Sequence, residues 1–178
     1  MKLIATTLLA ISATLLTACG GMSLKPYKAE EPQMSLRDYF NGEIEAWGIV
    51  QDRSGEVIQR FDIDLTGTWV GNEGTLEETF HYYDGRTEER TWRITDLGNG
   101  DYEGRAGDII GIAESQTAGN AANWAYTMDV TTEGGSTYRL KFDDWMWLMN
   151  DGVLMNRSYM KKFGITVGEI TIFMKKKM

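Results

Sequence analysis

The chain has 178 residues, 26 of them acidic against 18 basic, for a formal net charge of −8. That is one domain's length, and an acid excess of this size argues against nucleic acid or an anionic lipid surface as a partner. A single cysteine and a single histidine exclude an internal disulfide and leave no Cys/His set for zinc.

Residues 1–18 hold one lysine, an apolar run and no acid. This is the make-up of a secretory signal peptide, too short and wrongly flanked for a spanning helix. Its end, Leu16-Thr17-Ala18-Cys19, resembles a bacterial lipobox, in which Cys19 receives the lipid. More than one acyl chain, palmitate among them, on one residue is enough for stable membrane attachment. Asp after the cysteine commonly retains such lipoproteins in the inner membrane, so Gly20 points to the outer membrane and its periplasmic side. Residues 19–34 are polar and carry both prolines, Pro26 and Pro32. They read as a lipidated, extended tether.

The folded domain is expected over residues 35–178. Ser35 with Asp38 three residues on resembles a capping box, and Asn41-Gly42 is a good stop. One short helical turn is predicted there, with Leu36, Tyr39 and Phe40 packed down. No proline follows Pro32, which suits a sheet whose strands need every backbone N–H. Alternation and turn residues place strands at Glu43–Val50, Val57–Trp69, Gly74–Tyr83, Thr87–Thr95 and Asp101–Ala106. They continue at Ile109–Ser115, Trp124–Thr132, Thr137–Leu148, Leu154–Lys162 and Gly168–Lys175. The clearest hairpin joins two long alternating runs through Thr132-Glu133-Gly134-Gly135. An antiparallel sheet of this size must curl or close to protect its edges. The predicted fold is all-β, an up-and-down barrel of about 8–10 strands, with a two-sheet sandwich as the alternative.

The faces suggest an interior with charge in it. Leu76, Phe80 and Tyr82 share a face with Glu78, and Trp92 and Ile94 share one with Arg90. Glu78 and Arg90 are candidate partners, because buried charges are costly unless paired. Asp143 and Asp144 are adjacent and so point to opposite faces. Asp144 goes with Phe142 and Met146, and Asp143 goes with Trp145 and Trp147. Arg157, between Met155 and Tyr159 on one face of the next strand, is a candidate partner for Asp144. The candidate ligand-lining set is Trp124, Tyr126, Phe142, Asp144, Met146, Met155, Arg157 and Tyr159. The same aromatic and methionine residues would equally serve a plain packed core. His81 falls on the face expected to meet water. No catalytic residue, metal ligand or cofactor site is assigned, since no nucleophile–base pair or nucleotide motif occurs.

Several segments resemble one family: Phe40-Asn41-Gly42, Ala46-Trp47-Gly48, Asp108 to Ala113, Gly119-Asn120-Ala121 with Trp124 and Tyr126, Asp143-Asp144-Trp145-Met146, and Lys162-Phe163-Gly164 with Gly168-Glu169. They resemble uncharacterised proteobacterial lipoproteins, a domain of unknown function with a lipocalin-like (calycin) barrel, over about Leu36 to Lys175. The resemblance implies a barrel and an envelope location, and no established activity. Gly67-Thr68-Trp69 has the Gly-x-Trp spelling of lipocalins but ends the second predicted strand. By analogy with the lipocalin Trp–Arg closure, Trp47 is expected against Arg157.

Three functions remain in play. The first is a membrane-anchored barrel that binds a small hydrophobic or amphipathic ligand. The second is a non-enzymatic envelope interaction module, its protein partner unknown, with a filled interior and an exposed patch at Trp145 and Trp147. The third is a lipid-modifying or isomerase-type enzyme using Asp144 or Glu78.

Overall fold

A computed structural model describes residues 21–132 and 135–177. The expected signal peptide, Cys19 and Gly20, and Glu133, Gly134 and Met178 lie outside the described residues. Among those described, a short helix α1 (Leu36–Tyr39) precedes ten strands. They are β1 (Gly42–Asp52), β2 (Val57–Val70), β3 (Glu73–Tyr82), β4 (Thr87–Gly98), β5 (Asp101–Arg105), β6 (Ala113–Ala118), β7 (Ala121–Thr131), β8 (Thr137–Leu148), β9 (Val153–Lys162) and β10 (Ile165–Lys176). Each pairs antiparallel with the next, and β1 pairs with β10 from Ile44↔Lys176 to Asp52↔Gly168. The sheet therefore closes into a barrel, which removes the edges that an open sheet of this width would expose.

Alternation sets the two faces of the wall. Along β2, Phe61, Ile63 and Leu65 are buried, while Asp64 and Thr66 between and beyond them face out. The β7–β8 hairpin is as long as the sequence promised, paired from Ala121↔Trp147 to Thr131↔Thr137. The sixth strand is displaced. Ile109–Ser115 was expected, but β6 starts at Ala113, and Ile109 keeps only an isolated bridge to Met128. Gly111 at φ +81° turns the backbone out of the strand path, so Asp108–Ile112 becomes part of a loop at the barrel mouth.

One end of the barrel is plugged. The Ser35 hydroxyl accepts from the Asp38 N–H at 3.2 Å, as its capping position requires. Leu36, Tyr39 and Phe40 then bury under the strands. Polar groups tie the plug down at its rim. Trp69 Nε1 donates to the Phe40 carbonyl at 3.1 Å, the Tyr39 hydroxyl donates to the Gly152 carbonyl at 3.2 Å, and Lys176 Nζ donates to the Asp38 carbonyl at 2.9 Å. Gly67 lies so close to Phe40 that any Cβ there would collide with its carbonyl. The tryptophan of Gly67-Thr68-Trp69 is thus the one that closes the barrel, with the Arg37 guanidinium 6.0 Å from its ring. The expected pairing of Trp47 with Arg157 does not form. Trp47 lies on the outer wall against Phe173, with ring centroids 5.7 Å apart.

The segment before α1 packs on the outside. Tyr27 sits 6.3 Å from Trp145 and 6.4 Å from Trp147, centroid to centroid, and the Met34 N–H donates to the Gly119 carbonyl at 2.6 Å. The predicted exposed patch at Trp145 and Trp147 is therefore covered. Trp145 is buried and Trp147 is half-buried.

Candidate functional site

A barrel of eight strands is about the size that side chains alone can fill. Ten strands enclose more, and the interior here is a cavity of about 1850 Å³, above the ~300–1,000 Å³ of ordinary ligand pockets. It opens at the end opposite α1. Its wall is aromatic at mid-depth. Tyr126 and Phe142 stack at 5.0 Å and 4°, and Trp92 meets Trp124 at 5.8 Å, while Phe61 and Phe80 lie 5.6 Å apart. The register explains the clustering, since Tyr126 is directly across from Phe142.

Polar groups interrupt this lining near the middles of their strands. Glu78 and Arg90 are register partners on β3 and β4, with Oε2 and Nε 3.9 Å apart. Arg90 Nε also lies 3.3 Å from Asp108 Oδ1 in the mouth loop, and the guanidinium sits 4.5 Å from the Trp92 ring. Across the cavity, Asp144 accepts from Asn156 Nδ2 and, at 3.5 Å, from the Tyr126 hydroxyl. Asn156 Nδ2 also donates to the Trp145 carbonyl at 3.0 Å, which fixes the amide in place. Even so, Glu78 Oε2, Arg90 Nε and Nη2, and Ser158 Oγ have no hydrogen-bond partner. Such groups are costly to bury unpaired.

Burial drives the acids toward their neutral forms. It pushes Glu78 up to about 7 against the pull of Arg90, with Asp108 adding to the rise. It pushes Asp144 up to about 6, although the Asn156 bond, Arg90 and Tyr126 oppose it. Burial also works against the Arg90 guanidinium, but the surrounding acids and Tyr126 outweigh it and hold its pKa up. Asp143, one residue from Asp144, goes the other way. Partial burial would raise it, but Lys161 Nζ at 2.6 Å, Asn123 Nδ2 at 2.9 Å and Trp145 Nε1 at 2.8 Å hold it down on the outer wall. Neighbouring carboxylates on opposite faces thus titrate in opposite directions.

Of the candidate ligand-lining residues, Trp124, Tyr126, Phe142, Asp144 and Met146 line the cavity. Met155, Arg157 and Tyr159 do not. They pair with Trp147, Trp145 and Asp143, whose side chains are on the outer wall, and Arg157 reaches Glu169 there at 3.4 Å. The partners across from Asp144 and Met146 are Ser158 and Asn156, so the inward face of β9 is Leu154, Asn156, Ser158 and Met160. Sequence reasoning missed these because it looked for a cation beside Asp144. The signal was present in the even-numbered alternation of β9, which carries the small and neutral side chains that fit inside. Glu78 and Arg90 are brought together as expected. His81 is on the outer wall, with Nε2 3.3 Å from Asp64.

The mouth mixes charged side chains, among them Asp84, Arg86, Glu88 and Lys162, with exposed apolar ones. Ile58, Tyr83 and Ile165 stand mostly in solvent, and Phe163 at the β9–β10 turn is 95% exposed.

No curated protein is matched by this sequence. A family model described as "Protein of unknown function (DUF3833)" matches residues 13–176, which is nearly the whole chain and every strand of the barrel. The chain belongs to the DUF3833 family.

Proposed function

We propose that this chain is a lipid-anchored protein of the bacterial envelope that holds a small hydrophobic or amphipathic molecule inside its barrel. The observation that carries the reading is the aromatic-walled cavity of about 1850 Å³ whose polar side chains lack partners. A packed core would satisfy those groups or replace them with apolar ones. The anchor rests on the Leu16-Thr17-Ala18-Cys19 motif after an apolar run, and Gly20 favours the outer membrane, facing the periplasm. The interaction-module alternative called for a filled interior and a free Trp145–Trp147 face, and it has neither support.

Purification of the full-length chain, solvent extraction and mass spectrometry test the reading. We expect an apolar molecule at near-stoichiometric yield from the wild type. Its yield should fall in Ser158→Phe, which puts a ring into the cavity beside Asp144 while leaving the lipids on Cys19. No molecule above background in the wild type, together with no uptake of an apolar fluorescent probe, overturns it. The raised pKa values of Glu78 and Asp144 favour one further reading, proton transfer to a bound lipid by an interior carboxylate. The same extract decides it. Two isomers from the wild type against one from Asp144→Asn support an enzyme, and identical extracts remove that option.

A further inference from the structure

The unpaired atoms in the cavity have a definite sense. Arg90 Nη2 is a free donor, while Nε already faces Asp108 Oδ1 at 3.3 Å, and Glu78 Oε2 is a free acceptor on the register-paired residue. The side chains of Glu78 and Arg90 keep only 11% and 19% of their surface, and both line the cavity.

The common lipid head groups can be sorted against this set by hydrogen-bond type alone. An ionised carboxylate accepts but cannot donate. It would engage Arg90 and leave Glu78 Oε2 unpaired. It would also add an anion to a cluster where Glu78, Asp108 and Asp144 already face one guanidinium. An ammonium donates but cannot accept, so it would leave Arg90 Nη2 unpaired and place a second cation near it. A hydroxyl or a primary amide does both at once. It accepts from Arg90, donates to Glu78, and adds no charge to a region where charge is hard to solvate.

We propose that the Glu78–Arg90 pair selects an uncharged donor–acceptor head group, a hydroxyl or primary amide on an apolar chain, over the matching fatty acid or amine. The proposal rests on the ligand-binding reading above. The apolar chain runs from the pair toward the mouth between Phe61, Phe80, Leu140, Met160 and Ile170, all of which line the cavity.

The test is displacement of a neutral fluorescent probe, N-phenyl-1-naphthylamine, from the full-length chain at pH 8 by three twelve-carbon competitors. These are 1-monolauroylglycerol, laurate and dodecylamine. Monolauroylglycerol should compete at about tenfold lower concentration than either ion, the fold expected from leaving one buried charged group unpaired. Glu78→Gln, which removes an anion and supplies a donor, should narrow the gap to laurate to about threefold or less. Laurate or dodecylamine competing as well as monolauroylglycerol overturns the head-group proposal while the cavity reading stands. Failure of the probe and all three competitors to bind overturns the cavity reading itself.

Discussion

At one end of the barrel Leu36 has no exposed surface and Phe40 has 5%, and their helical turn is tied to the rim through the Phe40 and Asp38 carbonyls and the Tyr39 hydroxyl. At the other end Phe163 is 95% exposed, on a backbone at φ +52° that L-residues adopt at a cost. The plug and the mouth use the same kinds of residue for opposite ends. The plug gains stability by excluding water from a packed apolar layer. The mouth forgoes that gain, and between the two the cavity keeps charged and polar groups that a core built for stability would have lost. The comparison teaches where mutations should cost folding and where they should cost binding.

Truncation at the plug should have the largest effect on folding. Leu36→Ala is expected to lose about 3 kcal/mol in urea unfolding, because the site sits under the strands and cannot collapse. Probe binding below the unfolding transition should persist. A loss of binding with little loss of stability would break the division between the ends.

The cavity predicts a pH-dependent effect that approaches this size only at its upper end. The folded pKa of Asp144 is raised, so its contribution to stability is full below its unfolded pKa of roughly 4 and is lost as pH rises through about 6. Asp144→Asn removes that loss. The variant should therefore gain on the wild type between pH 4 and pH 8, by about 3 kcal/mol at roughly 1.4 kcal/mol per pKa unit. The charged groups facing Asp144 from other strands, Arg90 and Glu78 with Asp108 beyond, are unchanged in the variant. Asp143→Asn on the outer wall should do the reverse. The depressed pKa of Asp143 gives stability above its unfolded pKa and loses it as pH falls through the lower folded value. That variant should lose on the order of 1 kcal/mol at pH 8. Urea melts of both at pH 4 and pH 8 check the pair, and a destabilised Asp144→Asn at pH 8 would show that the interior carboxylate is held charged.

The mouth should respond least. Phe163→Ser is expected to leave unfolding within ~0.5 kcal/mol of the wild type, since an exposed side chain has little burial to lose. A loss above about 1 kcal/mol would mean that the tip packs against something, and the open end would have to be redrawn.

Much of this was readable before any coordinates. The strong alternation of 120–148 put Trp124, Tyr126, Phe142, Asp144 and Met146 on shared faces, and all five line the cavity. Ser35 and Asp38 marked the plug, and Leu36, Tyr39 and Phe40 filled it. The strand count and closure followed from turn spacing and from the need to hide edges. The errors in the lining set share one cause. Period two separates a strand into two faces but does not label the inner one. On β8 hydrophobicity labels it. On β9 the outward face holds Met155 and Tyr159 and the inward face holds Asn156 and Ser158, so hydrophobicity does not mark the inner face, and only the charges of Arg157 and Lys161 mark the outer one.

By itself the sequence determined that this chain makes an antiparallel all-β sheet of about 8–10 strands, barrel or sandwich, with one capped turn before it, because alternation, turn residues and a cap act over a few neighbouring residues. Only the tertiary structure decided which face of β9 meets Asp144, that Tyr27 covers Trp145, and that ten strands leave room inside. Those depend on register and on circumference, which are set by strands distant in the chain meeting around the ring.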